Sequence, residues 1–221
     1  TGRMAQTVTP TAAIPLYGRS ADNIRDHRHV TSLLHRIETT DTGVLVTPTL
    51  SFDERGHQVN HMTYYCVGWS GNGEKPVDFY PTAEDFVGEG GNFERPYAIV
   101  KNAEGVKAGT KIEGLEAVGG LHFSEITLEP EEECSYLIFT GITEDIQEIR
   151  NLSKTYTTRE KVLEELEKTK AYWQEKVNVA YHTGDSDFNQ FMHWVSFQPI
   201  LRRIYGCFFL PHRVYGKGGR G

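Results

Sequence analysis

Near Ile142 the spacing of apolar residues changes, and that change limits what the chain can fold into more than any other feature. From Leu16 to about Ile142, short β-branched and aromatic runs alternate with turn residues, and no apolar period of 3.6 is sustained. Such a stretch forms sheet. Strands are expected at Val30–Ile37, Gly43–Phe52, His61–Trp69, Ala98–Val100, Leu121–Leu128 and Ser135–Gly141, with turns at residues 53–56, 70–73 and 128–130. The run Tyr136–Phe139 is apolar throughout, as in a strand at the centre of a sheet. Regularly spaced strands joined by hairpin-like turns fit an antiparallel β-sandwich.

Beyond Ile142 the period becomes helical. Thr157 and Glu160 have the spacing of a capping box, in which the hydroxyl and the carboxylate each satisfy an amide left open at a helix start. A long helix is expected from there to about Val179, with Val162, Leu166, Thr169, Trp173 and Val177 on one stripe. After a break at residues 182–185 a second helical pattern follows through Phe188, Phe191, Met192, Val195, Phe197, Leu201, Ile204 and Tyr205. It is more apolar all round than the first, which suits an inner helix, and Pro199 should kink or end it. The expected division is a β-sandwich in residues 1–145, a linker with the long amphipathic helix in 146–183, and the beginning of a helical domain in 184–221.

Composition narrows the function. The 221 residues carry a formal net charge of -7 with no basic stripe, so a polyanion is repelled and nucleic acid is not an expected partner. Cys66, Cys134 and Cys207 are odd in number and lack the CxxC spacing, which suggests neither a disulfide framework nor a zinc site and fits a reducing cytoplasm. No apolar run approaches the ~20 residues that span a bilayer, and the start has no signal-peptide plan, so no membrane association or export is expected. The chain opens on Thr1 and closes on Gly216, Lys217, Gly218, Gly219, Arg220 and Gly221. With no apolar residue to dock it, that stretch reads as an interrupted loop, and the chain is expected to be an incomplete piece of a longer protein; a flexible tail is the alternative.

Three groups of residues invite chemistry. In the closing loop the glycines allow close backbone approach to a ligand, and Arg220 can fork two hydrogen bonds to a sugar or an anion. Gly88, Glu89, Gly90 and Gly91, followed by Asn92 and Phe93, offer either a ligand loop or simply a tight turn between elements, with Phe79, Tyr80, Phe86 and Phe93 as possible stacking faces for sugars. The loop lacks the spacing and strand-to-helix context of a nucleotide-binding loop. His27 and His29 share one face of an extended segment, yet no third ligand stands out, and no metal is expected. The pair Glu84 and Asp85 and the run Glu131–Glu133 are the carboxylates to weigh as a hydrolytic dyad, the latter reading as a solvated turn after Pro130.

Three segments together give a resemblance. Residues 23–36 (Asn23 to Arg36), residues 79–93 (Phe79 to Phe93), and residues 198–207 and 209–211 with the closing glycine loop look like the cellobiose phosphorylase family of inverting glycoside phosphorylases, and more narrowly its long-chain members such as the 1,2-β-oligoglucan phosphorylases. The run His212, Arg213 and Val214 departs from the His-His-Asp run of such relatives. The resemblance implies a β-sandwich, linker helices, an (α/α)6 barrel that holds the active site, and a small β domain; this chain would carry the sandwich, the linker helix and the first helix of an incomplete barrel. It implies phosphorolysis of β-linked gluco-oligosaccharides with inorganic phosphate as co-substrate, no cofactor, and a homodimer. Substrate contacts would come from Arg220, Gly219, Gly218 and Lys217, and a sandwich loop at the active site from Glu89, Gly90, Gly91, Asn92 and Phe93. The general acid would lie beyond Gly221. A second reading is a noncatalytic carbohydrate-binding or dimerising sandwich module, and a third is a sandwich-plus-barrel hydrolase.

Overall fold

The computed structural model describes residues 3–18, 31–53, 56–201, 203–204 and 207–208. The chain divides into two compact units, Thr1–Val162 and Leu163–Gly221.

The first unit runs β1 (Gln6–Val8), β2 (Thr11–Leu16), β3 (His35–Thr39), β4 (Gly43–Pro48), β5 (Leu50–Asp53), β6 (Gly56–Val59), β7 (Thr63–Ser70), β8 (Asp78–Thr82), α1 (Ala83–Val87), α2 (Tyr97–Lys101), β9 (Lys111–Glu113), β10 (Ala117–His122), β11 (Ile126–Leu128), β12 (Tyr136–Thr143) and α3 (Ile146–Thr155). Two antiparallel sheets form its body, one in the order β12-β7-β4-β3-β9 and one in the order β2-β10-β8. Leu16, Ile37, Val44, Val46, Cys66, Phe79 and Leu121 fill the space between them. Each such side chain contributes about 1.5–3 kcal/mol by leaving water.

The outer faces are covered as well. Leu45, Val67, Trp69 and Leu137 point away from that interior and meet Ile149 of α3, and the Trp69 indole donates to the Tyr156 carbonyl at 2.8 Å. Tyr80 and Val118 meet Phe86, Val87 and Ala98 of α1 and α2. The layers are therefore helix, sheet, sheet, helix, which explains why Val44, Leu45 and Val46 are apolar in succession. The antiparallel sandwich expected from the strand pattern is present. Its compact unit reaches Val162, because α3 buries Ile149 and half-buries Leu152 against the sheet.

Several local expectations change. Ala98–Val100 lies in a helix: Pro96 fixes the backbone at its start, Asn102 closes it in the left-handed region at φ 46°, and Ala98 turns into the core while Ile99 and Val100 stay exposed. The expected strand over Val30–Ile37 begins only at His35, after a turn in which the Leu34 amide donates to Thr31 at 3.1 Å. Gly43–Phe52 breaks at Thr49, and β5 pairs with β6 instead. Leu121–Leu128 divides into β10 and β11. β2 and β8, which carry Pro15 and Pro81, are both edge strands of the smaller sheet, where a missing amide donor is tolerated.

α4 (Arg159–Lys176) begins at the end of the first unit and continues into the second, one residue past Thr158, whose side chain bonds the Glu160 carboxylate. The second unit adds α5 (Ser186–Leu201) and the short pair β13 (Arg203–Ile204) and β14 (Cys207–Phe208). Asp185 caps α5 by accepting from the amides of Asp187 and Phe188, both at 3.0 Å. α5 closes two residues after Pro199. Trp173 meets Phe197 edge-on, with centroids 4.5 Å apart, and Tyr181 bonds Ser196 at 3.3 Å. Along the expected stripe of α4, Val162 and Trp173 are half-buried, while Leu166 and Thr169 are exposed.

Candidate functional site

The smaller sheet positions the site. β8 ends at Thr82, whose hydroxyl accepts from the Asp85 amide at 3.1 Å and donates to the Asp85 carboxylate at 2.7 Å, so α1 starts where the strand stops. Gly88 ends it at φ 81° with its amide on the Glu84 carbonyl at 3.0 Å. The chain then turns back: Gly90 is left-handed at φ 69°, and the Gly91 amide donates to Gly88 at 3.2 Å. A Cβ at Gly91 would stand 2.3 Å from the Val87 carbonyl oxygen, so only glycine fits there.

Between α1 and residues 88–93 lies a cleft of about 600 Å³, lined by Ala83, Glu84, Val87, Gly88, Glu89, Gly91, Asn92 and Phe93. A second hollow of about 390 Å³, on the other side of the same turn, is lined in part by Glu89, Gly90, Arg95, Tyr97 and Lys101. Glu89, Gly91, Asn92 and Phe93 thus share one cleft, and Gly90 lines the second hollow. The glycines form the tight turn that was one of the two alternatives, and a cavity lies beside it. The Asn92 side-chain oxygen accepts from the amides of Glu94 and Arg95 at 3.0 and 3.1 Å, so it holds the loop.

Of the four aromatic rings considered as sugar platforms, Phe79, Tyr80 and Phe86 are buried in the core. Phe93 is 44% exposed and rests on Phe86 at 5.8 Å. The cleft therefore offers one aromatic face, two carboxylates and one amide side chain, groups of the kind that can stack on a ring and bond hydroxyls. Asp85 is engaged by Thr82, so Glu84 and Asp85 do not act as an opposed acid pair. Glu131 sits in an exposed turn at φ 67°, and Glu132 accepts from the Glu129 amide, so that run is a solvated loop.

Lys217, Gly218, Gly219 and Arg220, with His27 and His29, lie outside the described residues. Among the described residues no group of three or more His, Cys, Asp or Glu is placed to hold a metal, and no helix is long and apolar enough to cross a membrane. Cys66 is buried, and burial pushes its thiol up to about 12, which leaves it inert near neutrality; Cys134 is exposed.

One constellation had no signal in the sequence. The β8–β10 register pairs Asp78 with His122, and the carboxylate meets the His122 Nδ1 at 2.6 Å, with Lys107 3.9 Å from its other oxygen. Tyr80 lies beside the imidazole at 5.7 Å and donates to the Ala103 carbonyl at 2.5 Å. These bonds tie residues 103–107 to the sheet that carries α1.

No curated protein matches the chain at a significant level. Residues 8–159 match the glycosyl hydrolase 94 supersandwich domain, a span that covers both sheets, the cleft and α3. The chain belongs to the glycosyl hydrolase 94 family, and its first compact unit is that family's supersandwich.

Proposed function

We propose that this chain is the sandwich, linker and barrel threshold of an inverting phosphorylase that acts on β-linked gluco-oligosaccharides, β-1,2-glucans first and cello-oligosaccharides next. The family match over residues 8–159 is the observation that carries this reading. In such a reaction a carboxylic acid protonates the leaving glycosidic oxygen, while phosphate attacks the anomeric carbon from the opposite face and gives glucose 1-phosphate with inversion. Phosphate takes the place of a base-activated water, so the chemistry needs one acid, a cationic cradle and no cofactor. Arg220, with Gly219, Gly218 and Lys217, is assigned to the glucosyl unit, and α5 to the first helix of the (α/α)6 barrel, with the sandwich in residues 1–145 and the linker in 146–183. Glu89–Phe93 would form a wall of the active site within a cytoplasmic homodimer. The general acid lies outside these residues.

A second reading, recognition without turnover, is favoured by the cleft itself, where an exposed Phe93 ring accompanies carboxylates but no opposed acid and cation. Calorimetric titration of the chain with β-1,2- and β-1,4-linked oligosaccharides, alongside an assay for glucose 1-phosphate, tests both. Saturable heat that Phe93→Ala abolishes, with no glucose 1-phosphate, fits a cleft that binds and an acid supplied elsewhere. Glucose 1-phosphate formed by this chain alone would refute that placement of the acid.

A further inference from the structure

His35 sits in surroundings that suit one protonation state better than the other. It is 1% exposed in β3, with Nδ1 3.1 Å from the Leu115 carbonyl oxygen and Nε2 3.1 Å from that of Tyr17. A neutral imidazole carries one N–H and one lone pair, so it donates to one carbonyl and sets a lone pair against the other. The imidazolium donates to both. The Gly18 backbone, left-handed at φ 55°, approaches the ring closely: a Cβ there would stand 2.6 Å from Nε2.

Burial opposes charge on this ring, and the two carbonyls and the Glu116 carboxylate favour it; burial is the largest cause and holds the pKa below the ordinary 6.5. Among the described residues, the charged group that acts on the ring is the Glu116 carboxylate before β10; Tyr17, after β2, meets the ring through its backbone carbonyl. Pro48, opposite His35 in β4, brings no charge. On β3 itself Arg36 points to the other face, where it pairs with Glu113 of β9 at 3.3 Å.

Leu115 adjoins Glu116, whose carbonyl accepts from the Ala83 amide at 2.8 Å. Ala83 opens α1 and lines the cleft. We infer that His35 is a proton-operated latch: neutral, it donates from Nε2 to the Tyr17 carbonyl; protonated, it also donates from Nδ1 to the Leu115 carbonyl, and the Leu115–Glu116 peptide passes the change to Ala83 and the cleft. Its consequence for sugar binding rests on the functional reading above, whereas the latch itself does not. Because the folded pKa lies below the unfolded one, the neutral form contributes stability fully above about pH 6.5, and this is lost as pH falls from there toward the lowered folded value.

The test is a pH titration of the whole chain by NMR, read at the His35 ring nitrogens, the Tyr17 and Leu115 carbonyl carbons and the Ala83 amide. The expected result is one protonated and one bare ring nitrogen at pH 8 and two protonated nitrogens in acid. The Leu115 carbonyl and the Ala83 amide should move with the same midpoint, below 6.5. Glu116→Gln should lower that midpoint, and His35→Gln should remove the shared titration. Two protonated nitrogens at pH 8, a titration that leaves both carbonyls still, or an Ala83 amide that does not follow them would overturn the latch. If His35→Gln does not fold, the wild-type and Glu116→Gln titrations decide alone. No sugar enters the experiment, so its failure and a failure of the cleft to bind sugar are separate results.

Discussion

β4 and α5 are both apolar through most of their length, and they end in opposite surroundings. β4 buries Val44 and Val46 between the sheets and Leu45 beneath α3. α5 buries no side chain fully, and Phe188, Phe191, Trp194, Val195 and Leu201 are all exposed. Composition cannot separate them. What separates them is that the first unit supplies a packing surface on each side of its strands, whereas within the second unit α5 meets Trp173 through Phe197 and Tyr181 through Ser196 and leaves most of its apolar side chains exposed.

Replacing a central residue of the first unit tests the saturated half of this contrast. Leu121 is 0% exposed and lies among both sheets, so Leu121→Ala should cost about 2–5 kcal/mol, the transfer of the lost methyl groups plus the cavity left behind. Urea unfolding followed by near-ultraviolet circular dichroism measures it. A loss under about 1 kcal/mol would mean that the interior closes over the cavity, which a core packed this way resists.

A smaller effect is expected where the saturated half joins its covering helix. Asp145 caps α3 by accepting from the Gln147 amide at 2.8 Å, and Thr143 supports it by bonding the Asp145 amide at 3.0 Å. Asp145→Ala should cost about 1 kcal/mol and speed amide exchange in the first turn of α3, with the exchange of β7 left close to wild type. If β7 loosens equally, α3 and the sheet open as one unit and the cap matters to both.

How much of this was legible varies with the source of the order. β7 could be read because most of its residues are β-branched or aromatic. α4 could be read from its polar start, but Thr158 rather than the expected Thr157 bonds Glu160. β12, expected at the centre of a sheet, lies at an edge with Leu137 and Phe139 packed on the α3 side. α2 was misread because Ile99 and Val100 favour strands by type, while Pro96 and the burial of Ala98 decide the conformation. β2 and β8 stayed hidden behind Pro15 and Pro81, whose tolerance depends on a sheet edge that no local pattern reveals. For the cleft, the glycines marked the turn correctly, but four aromatic residues close in sequence gave no means of telling that Phe93 alone faces outward. The Asp78–His122 bond comes from a strand register across 44 positions, and the two carbonyls on His35 come from segments beside the other sheet, 18 and 80 positions away. Such contacts have no signature until the sheets are assembled.

The smallest effect is expected on α5, and there the contrast is most easily broken. Phe191 is 60% exposed, and phenylalanine and serine have similar helix propensities, so Phe191→Ser removes little buried area and does not disfavour the helix. The expected change in stability is within about 0.5 kcal/mol, as for surface positions generally. Amide exchange within α5 measures it locally, without the first unit's unfolding dominating the signal. A contiguous row of exposed aromatic rings also promotes association, so the substitution should lower the sedimentation-average mass of concentrated samples if that row is open to solvent. A loss near 2 kcal/mol, with no change in association, would show instead that another surface of the protein covers Phe191. α5 would then be buried on both sides as β4 is, and the difference between the two elements would lie in where their covering surfaces come from.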